Sequence, residues 1–171
     1  KRCENEKVFN KCVNMINSFK QYFFSHNQEC YENPSPGNHD GGTTTLEEKS
    51  LGCIQKGGKA VITDVLEYGE HCKKQGLNLL TGPGNDIVST TNLAAAGANI
   101  ILFTTGRGTP LGASVPTIKV SSNSRLAKRK SNWIDFNAGE LIESNDFENM
   151  TEEIFKLLID IASGRQTKNE Q

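Results

Sequence analysis

The sequence predicts an α/β fold, a single domain built on a mostly parallel, Rossmann-like sheet with flanking helices. Three observations in residues 77–112 predict it. Leu77 to Leu80 is a short apolar run, broken by Gly82, Pro83 and Gly84. Asn85-Asp86 then supplies an N-cap for an alanine-rich helix that Gly97 stops. Ile100 to Phe103 is apolar without alternation, the pattern of a strand buried on both faces of a parallel sheet. Parallel strands joined by a helix form a right-handed crossover, and ligands bind at loops leaving the C-terminal ends of such strands. Here those loops are GPGND (82–86) and TTGRGTP (104–110).

The remaining elements follow in order. Val8, Cys12, Met15, Ile16, Phe19, Tyr22 and Phe23 recur at helical spacing and form one apolar stripe, expected to serve packing alone. Residues 31–45, YENPSPGNHDGGTTT, are too rich in Pro and Gly for a helix or central strand and read as a long loop. Thr45 and Glu48 fit a capping box opening a helix over 46–55, which Gly57-Gly58 end. The glycine-rich approach to that helix suits a carboxylate or phosphate. Residues 59–68 start as a β-branched strand and turn helical at an uncertain point, where Asp64 is a cap. His71 is expected on the surface. Thr117 to Ser121 is a strand that leaves through Ser122-Asn123-Ser124. Residues 125–130 carry four basic side chains on a short helix, a solvated face by default and an anion patch as the alternative. Residues 133–136 read as a short strand ended by Asn137-Ala138-Gly139. Ile154, Leu157, Leu158 and Ile161 mark a last helix starting near Asn149 or Thr151 and stopped at Gly164, followed by a polar tail with no core of its own.

Composition narrows the function classes. A chain of 171 residues is most simply one domain, able to bury roughly 70% of its unfolded surface. No run approaches the roughly 20 apolar residues of a membrane span, and the charged N-terminus lacks a secretory pattern. Nineteen basic and 20 acidic side chains leave a net charge of −1, so neither nucleic acid nor an anionic membrane is expected as partner. Five cysteines with no C-x-x-C pair argue for reduced thiols in a cytoplasm rather than a disulfide framework or zinc site. The chain begins at Lys1 rather than Met, and a piece of a larger protein is the expectation.

Nucleotide cofactors are not expected. The dinucleotide fingerprint G-x-G-x-x-G meets Ile87 at its third glycine, and the following strand ends Phe103-Thr104-Thr105 without an acidic residue. No G-x4-G-K-[ST] string is present. What remains is a set of loops rich in amides and hydroxyls, with one well-placed cation. Arg107 stands between Gly106 and Gly108, where neighbouring side chains do not block a bidentate approach to a carboxylate. Asn85, Asp86, Thr105, Thr109, Ser122 and Asn123 would bond hydroxyls. Together they describe a pocket for a polyhydroxylated acid, although Asn, Asp and Thr in turns are more often structural.

NPSPGN (33–38), GGTTTLEEKSLG (41–52), GLNLLTGPGNDIVSTTNLAAAGA (76–98), ILFTTGRGTPLG (101–112), VPTIKVSSNS (115–124) and WIDFNAG (133–139) resemble the C-terminal domain of the sugar-acid dehydratases. That family contains altronate and galactarate dehydratases and a sulfolactate sulfo-lyase subunit, and the overall pattern leans to altronate. The resemblance implies a hydro-lyase acting on a sugar acid with a divalent metal, Fe²⁺ or alternatively Mn²⁺. It also implies a missing N-terminal portion with a small β-rich domain and further catalytic residues, so the isolated chain is expected to be inactive. Homo-oligomerisation is left open. No metal-binding role is carried onto His39, Asp40 or His71.

Loss of water from a 2,3-dihydroxy acid needs a base, stabilisation of the enediolate, and protonation of the leaving hydroxyl. The expected roles are therefore as follows. Arg107 and the helix start at Asn85 and Asp86 hold a carboxylate. Asn33, Asn38, Thr44, Thr109 and Asn123 contact hydroxyls. Glu47 and Lys49 do acid–base or charge-stabilising work. The competing class is a domain that binds a sugar acid, or joins subunits, without turning it over.

Overall fold

The structure is a computed structural model that describes residues 2–29 and 36–171. It is an α/β fold, and every described strand ladder is parallel. The chain divides into two compact units, Lys1–Thr81 and Gly82–Gln171.

The first unit runs α1 (Glu6–Ser25), α2 (Pro36–Asp40), α3 (Leu46–Lys56), β1 (Ile62–Leu66) and β2 (Leu77–Leu80). Asn5 caps α1 through its Oδ1, which accepts from Val8 N at 3.0 Å. α1 packs on β1, with Val8, Val65 and Leu66 buried. The Lys11 ammonium donates to Asp64 Oδ1 at 2.8 Å. Asp64 thus sits within β1 as an ion-pair partner rather than as a helix cap, and residues 62–66 are strand without a helical turn. The stripe on α1 is only partly used: Ile16, Phe19 and Tyr22 are exposed. The expectation that residues 31–45 contain no helix is overturned at PGNHD, which forms one turn. Pro36 opens it, where a missing N–H costs nothing. α3 carries the predicted capping box in full, with Gly57 at its C-cap and Gly58 at φ 55°. The Arg2 guanidinium donates to the carbonyls of Ile54 (3.3 Å), Gly57 (2.9 Å) and Ala60 (3.0 Å), tying the last turn of α3 to the segment that follows it.

The second unit runs α4 (Asp86–Ala95), β3 (Ile101–Thr105), β4 (Thr117–Ser121), α5 (Ser124–Arg129), β5 (Phe136–Asn137), α6 (Glu140–Ser144) and α7 (Phe147–Ala162). The predicted crossover from β2 to β3 within one sheet is not formed. β2 pairs with β1 in a two-stranded sheet, whereas β3, β4 and β5 make a separate sheet in that order. Nor is β3 buried on both faces: it is an edge strand, and its Leu102 is 48% exposed. The strand with that property is central β4, buried at every position. Alternation puts Ile118 and Val120 on one face, where Ile161 and the half-buried Ile154, Leu157 and Leu158 of α7 cover them. Thr117, Lys119 and Ser121 share the other face.

Two other expectations shift. β5 covers Phe136–Asn137 rather than 133–136. The polar tail is tied into the unit: Thr167 is 1% exposed, Lys168 N donates to Asp135 Oδ1 at 2.8 Å, and Asn169 Nδ2 donates to Thr117 O at 3.2 Å.

Candidate anion-binding site

In the second unit the C-terminal residues of the three strands stand in register, Thr105 opposite Ser121 and Ser121 opposite Asn137. The loops that follow therefore leave from one edge of the sheet, the usual position for ligands in parallel α/β structures. Local hydrogen bonds fasten them together. Ser122 N donates to Thr105 O at 3.0 Å, and Ala138 N to Ser121 O at 2.9 Å. The Asn123 side chain works twice. Its Oδ1 accepts from Leu126 N (2.9 Å) as the N-cap of α5, while Nδ2 donates to Gly106 O (3.0 Å) in the loop after β3.

Glycine is required at two points. Gly108 has φ +86°, and a Cβ there would lie 2.9 Å from Leu126 Cδ1. Gly139, at the end of the third loop, is buried against backbone. A Cβ would stand 2.3 Å from Ser124 N and 2.5 Å from Asn123 C and Cα.

Between α5 and the loops after β3 and β4 lies a cleft of about 510 Å³ lined by Gly106, Arg107, Asn123, Arg125, Leu126, Arg129 and Lys130. Four of those side chains are cationic and none is a carboxylate. The Lys130 ammonium also stacks over the Trp133 ring, 4.2 Å from its centroid. The basic run 125–130 thus supplies three of the four cationic residues of the lining. A cleft of about 500 Å³ lined by Ser124 and Ala127 is of mixed sign instead, with Asp135, Glu140 and Glu143 beside Lys128 and Lys168.

The expected site residues distribute unevenly. Arg107 and Asn123 line the cationic cleft. Thr109 does not line it: its Oγ1 accepts from Leu111 N at 3.2 Å and its carbonyl accepts from Lys119 Nζ at 2.7 Å. Asn85 and Asp86 are likewise absent from the lining. Asn85 caps α4, its Oδ1 accepting from Ile87 N at 3.1 Å and Val88 N at 3.3 Å, and exposed Asp86 opens that helix. Asn38, Thr44, Glu47 and Lys49 belong to the first unit. There Lys49 Nζ donates to Asn38 Oδ1 at 3.0 Å. Thr44 donates to Glu48 Oε2 from its amide (2.8 Å) and from its hydroxyl (3.1 Å), which holds the Glu48 carboxyl below its ordinary range. Glu47 is exposed in the first turn of α3. Asn33 lies outside the described residues.

Two features near the site escaped the sequence reading: the burial of Lys119, and the close packing of Gly139, which was read only as the end of a strand. Lys119 looks like an ordinary outward position of an alternating strand, yet it is fully buried. Its signal was a lysine flanked by Thr117 and Ser121, three polar side chains on one face of a central strand. No group of three His, Cys, Asp or Glu among the described residues is placed to hold a metal ion. None of the helices among them is long and apolar enough to cross a membrane.

A parallel sheet with a cleft lined by cationic residues beside its strand ends makes the second unit an α/β structure with a candidate anion site. Comparison with known proteins makes this more specific. The model of the family described as D-galactarate/altronate dehydratase, C-terminal, matches residues 1–171. The chain is 55% identical over 169 residues to the altronate dehydratase of Escherichia coli (strain K12), covering 99% of this chain and 34% of that protein. Against altronate dehydratase of Bacillus subtilis (strain 168) it is 54% identical over 171 residues, covering 99% and 34%. Galactarate dehydratase (L-threo-forming) of Escherichia coli (strain K12) is 36% identical over 167 residues, with 96% and 32% covered. The chain belongs to the D-galactarate/altronate dehydratase family and matches its C-terminal part. It spans about a third of the length of these relatives.

Proposed function

We propose that this chain is the C-terminal domain of a cytoplasmic hydro-lyase that dehydrates a sugar acid, altronate to a 2-keto-3-deoxy acid, with galactarate as the alternative substrate. The observation that carries the reading is the cleft beside Arg107, whose lining holds four cationic residues and no carboxylate. A carboxylate bound there is held by charge-assisted hydrogen bonds from Arg107, which presents a planar fork suited to it. Elimination begins with loss of the proton next to that carboxylate, and the negative charge spreads onto its oxygens as the enediolate forms. Cations already in place stabilise that charge more than the ground state. Glu47 and Lys49 are the proposed acid–base pair of the first unit, and Asn38 orients the Lys49 ammonium. Fe²⁺ or Mn²⁺ is the metal the resemblance implies. The described side chains do not fit such an ion, so no step is assigned to it.

The test is calorimetry of the chain with altronate and with galactarate, each repeated with Arg107→Ala. One charge-assisted contact to the carboxylate is worth roughly 1.5–3 kcal/mol, so the variant should bind about ten- to hundredfold more weakly. Equal affinity for variant and wild type removes Arg107 from the site. Binding without turnover assigns the chain to substrate capture, the chemistry residing in the remaining two thirds of its relatives' length.

A further inference from the structure

The β4 face opposite α7 holds a lysine among buried neighbours, and its two partners, Thr109 and Trp133, each adjoin a residue that lines the cleft. Lys119 Nζ donates to the carbonyl of Thr109 at 2.7 Å, which ends the loop carrying Arg107. The same ammonium lies 5.9 Å from the centroid of Trp133, whose ring also carries Lys130 at 4.2 Å. Lys130 is a wall of the cleft. The neighbours of Lys119 on its strand face are satisfied locally. Thr117 Oγ1 donates to Val115 O at 2.9 Å, and Ser121 Oγ donates to Asn123 O at 2.7 Å. Asp135 bonds the Lys119 backbone N–H at 2.8 Å rather than the ammonium.

We propose that Lys119 is the positioning residue of the cleft: its buried ammonium fixes the Arg107 loop through Thr109 and braces the Lys130 wall through Trp133. The inference rests on the carboxylate reading of the cleft given above. Burial pushes the lysine's pKa below its ordinary value, with the nearby Asp135 charge opposing. Packing alone gives no reason for a cation here, because an apolar chain of the same length fills the space without desolvating a charge. A role toward the loop does give one: a carbonyl held by an ammonium is a fixed point from which Arg107 is aimed.

Lys119→Met keeps length and apolar bulk, so it tests the hold rather than the packing. Amide hydrogen exchange at Arg107 and Gly108 should rise about tenfold or more in the variant, while exchange within α7 stays unchanged. Calorimetry with galactarate should show non-additivity. Arg107→Ala should weaken binding about tenfold in the wild-type background and hardly at all with Lys119→Met present. Lys119→Gln, which retains a neutral donor of shorter reach, should fall between. Unchanged loop exchange, or additive effects of the two substitutions, overturns the proposal. If Lys119→Met and Lys119→Gln both fail to fold, wild-type exchange decides: loop amides protected about tenfold over free-peptide rates before any anion is added support it, and free-peptide rates overturn it. Absence of galactarate binding by the wild-type chain sinks the carboxylate reading, and the exchange rates then judge the hold of Lys119 on the loop by themselves.

Discussion

Gly139→Ala is the substitution for which the structure dictates the largest local cost. Its backbone sits at φ −65°, ψ −24°, a conformation alanine adopts freely, so any loss must come from space rather than torsion. The added methyl would stand 2.3 Å from Ser124 N and 2.5 Å from Asn123 C and Cα. Carbon contacts are comfortable at roughly 3.5–4.0 Å. More than an ångström must therefore be found at three atoms, all of them backbone, and no rotamer change supplies it. Overpacking of this kind costs about 1–3 kcal/mol. Taking about 2 kcal/mol, and about 4–8 °C per kcal/mol for a unit of this size, the melting temperature should drop by roughly 8–16 °C. Gly84→Ala is the control, since a Cβ there meets nothing within 4 Å. Differential scanning calorimetry of both variants decides it. The displaced Asn123 carries the clamp to Gly106, so affinity for galactarate should fall in the same variant. If Gly139→Ala melts beside Gly84→Ala and binds as tightly as wild type, the close packing of the second and third loops is not real.

Three further outcomes follow from named contacts. Asn123→Ala loses both the cap on Leu126 and the clamp on Gly106 O, and should cost about 1–2 kcal/mol by chemical denaturation. Asn123→Asp keeps the cap but not the clamp, and should restore most of the stability without restoring anion affinity. Cys12 lies 3.7 Å from the Cys3 thiol, and burial with that neighbour pushes it up to about 11. Since thiolate is the reactive form, iodoacetamide near pH 8 should alkylate the exposed Cys53 and Cys72 before Cys12, a ranking that peptide mass spectrometry reads directly. Asp64 has its carboxyl lowered by the Lys11 ammonium and the Val65 amide. A depressed acid adds stability above its unfolded value, ordinarily 3.8, and loses it as pH falls through the folded value. Acid titration of the first unit should show that loss below about pH 4, flattened in Asp64→Asn.

Local chemistry made many elements legible. Thr45 and Glu48 announced α3, Asn85 announced α4, and the five residues of β4 were read at their observed bounds. Pairing was less legible because it depends on partners far along the chain. Nothing in Leu77–Leu80 or Ile101–Thr105 distinguishes strands of one sheet from strands of two. The tail was misread for a similar reason. Its polar side chains satisfy Asp135 and the Thr117 carbonyl, acceptors that only the folded unit brings within reach. Within the site, Arg107 stood out by its flanking glycines, and residues 125–130 by their charge. Lys119 stayed hidden because a lysine on an alternating strand ordinarily points to water. Gly139 stayed hidden because the backbone it touches enters from another loop.

The chain contains a single tryptophan, Trp133, and two ammonium groups lie near its ring, Lys130 at 4.2 Å and Lys119 at 5.9 Å from the centroid. One of those groups belongs to the cleft wall. If an anion bound in the cleft draws Lys130 away from the indole, the electric field across the ring changes, and the emission of the unlabelled protein should report occupancy. The tyrosine signals of the first unit are spectrally distinct, and the two halves of the molecule can be followed separately in one cuvette.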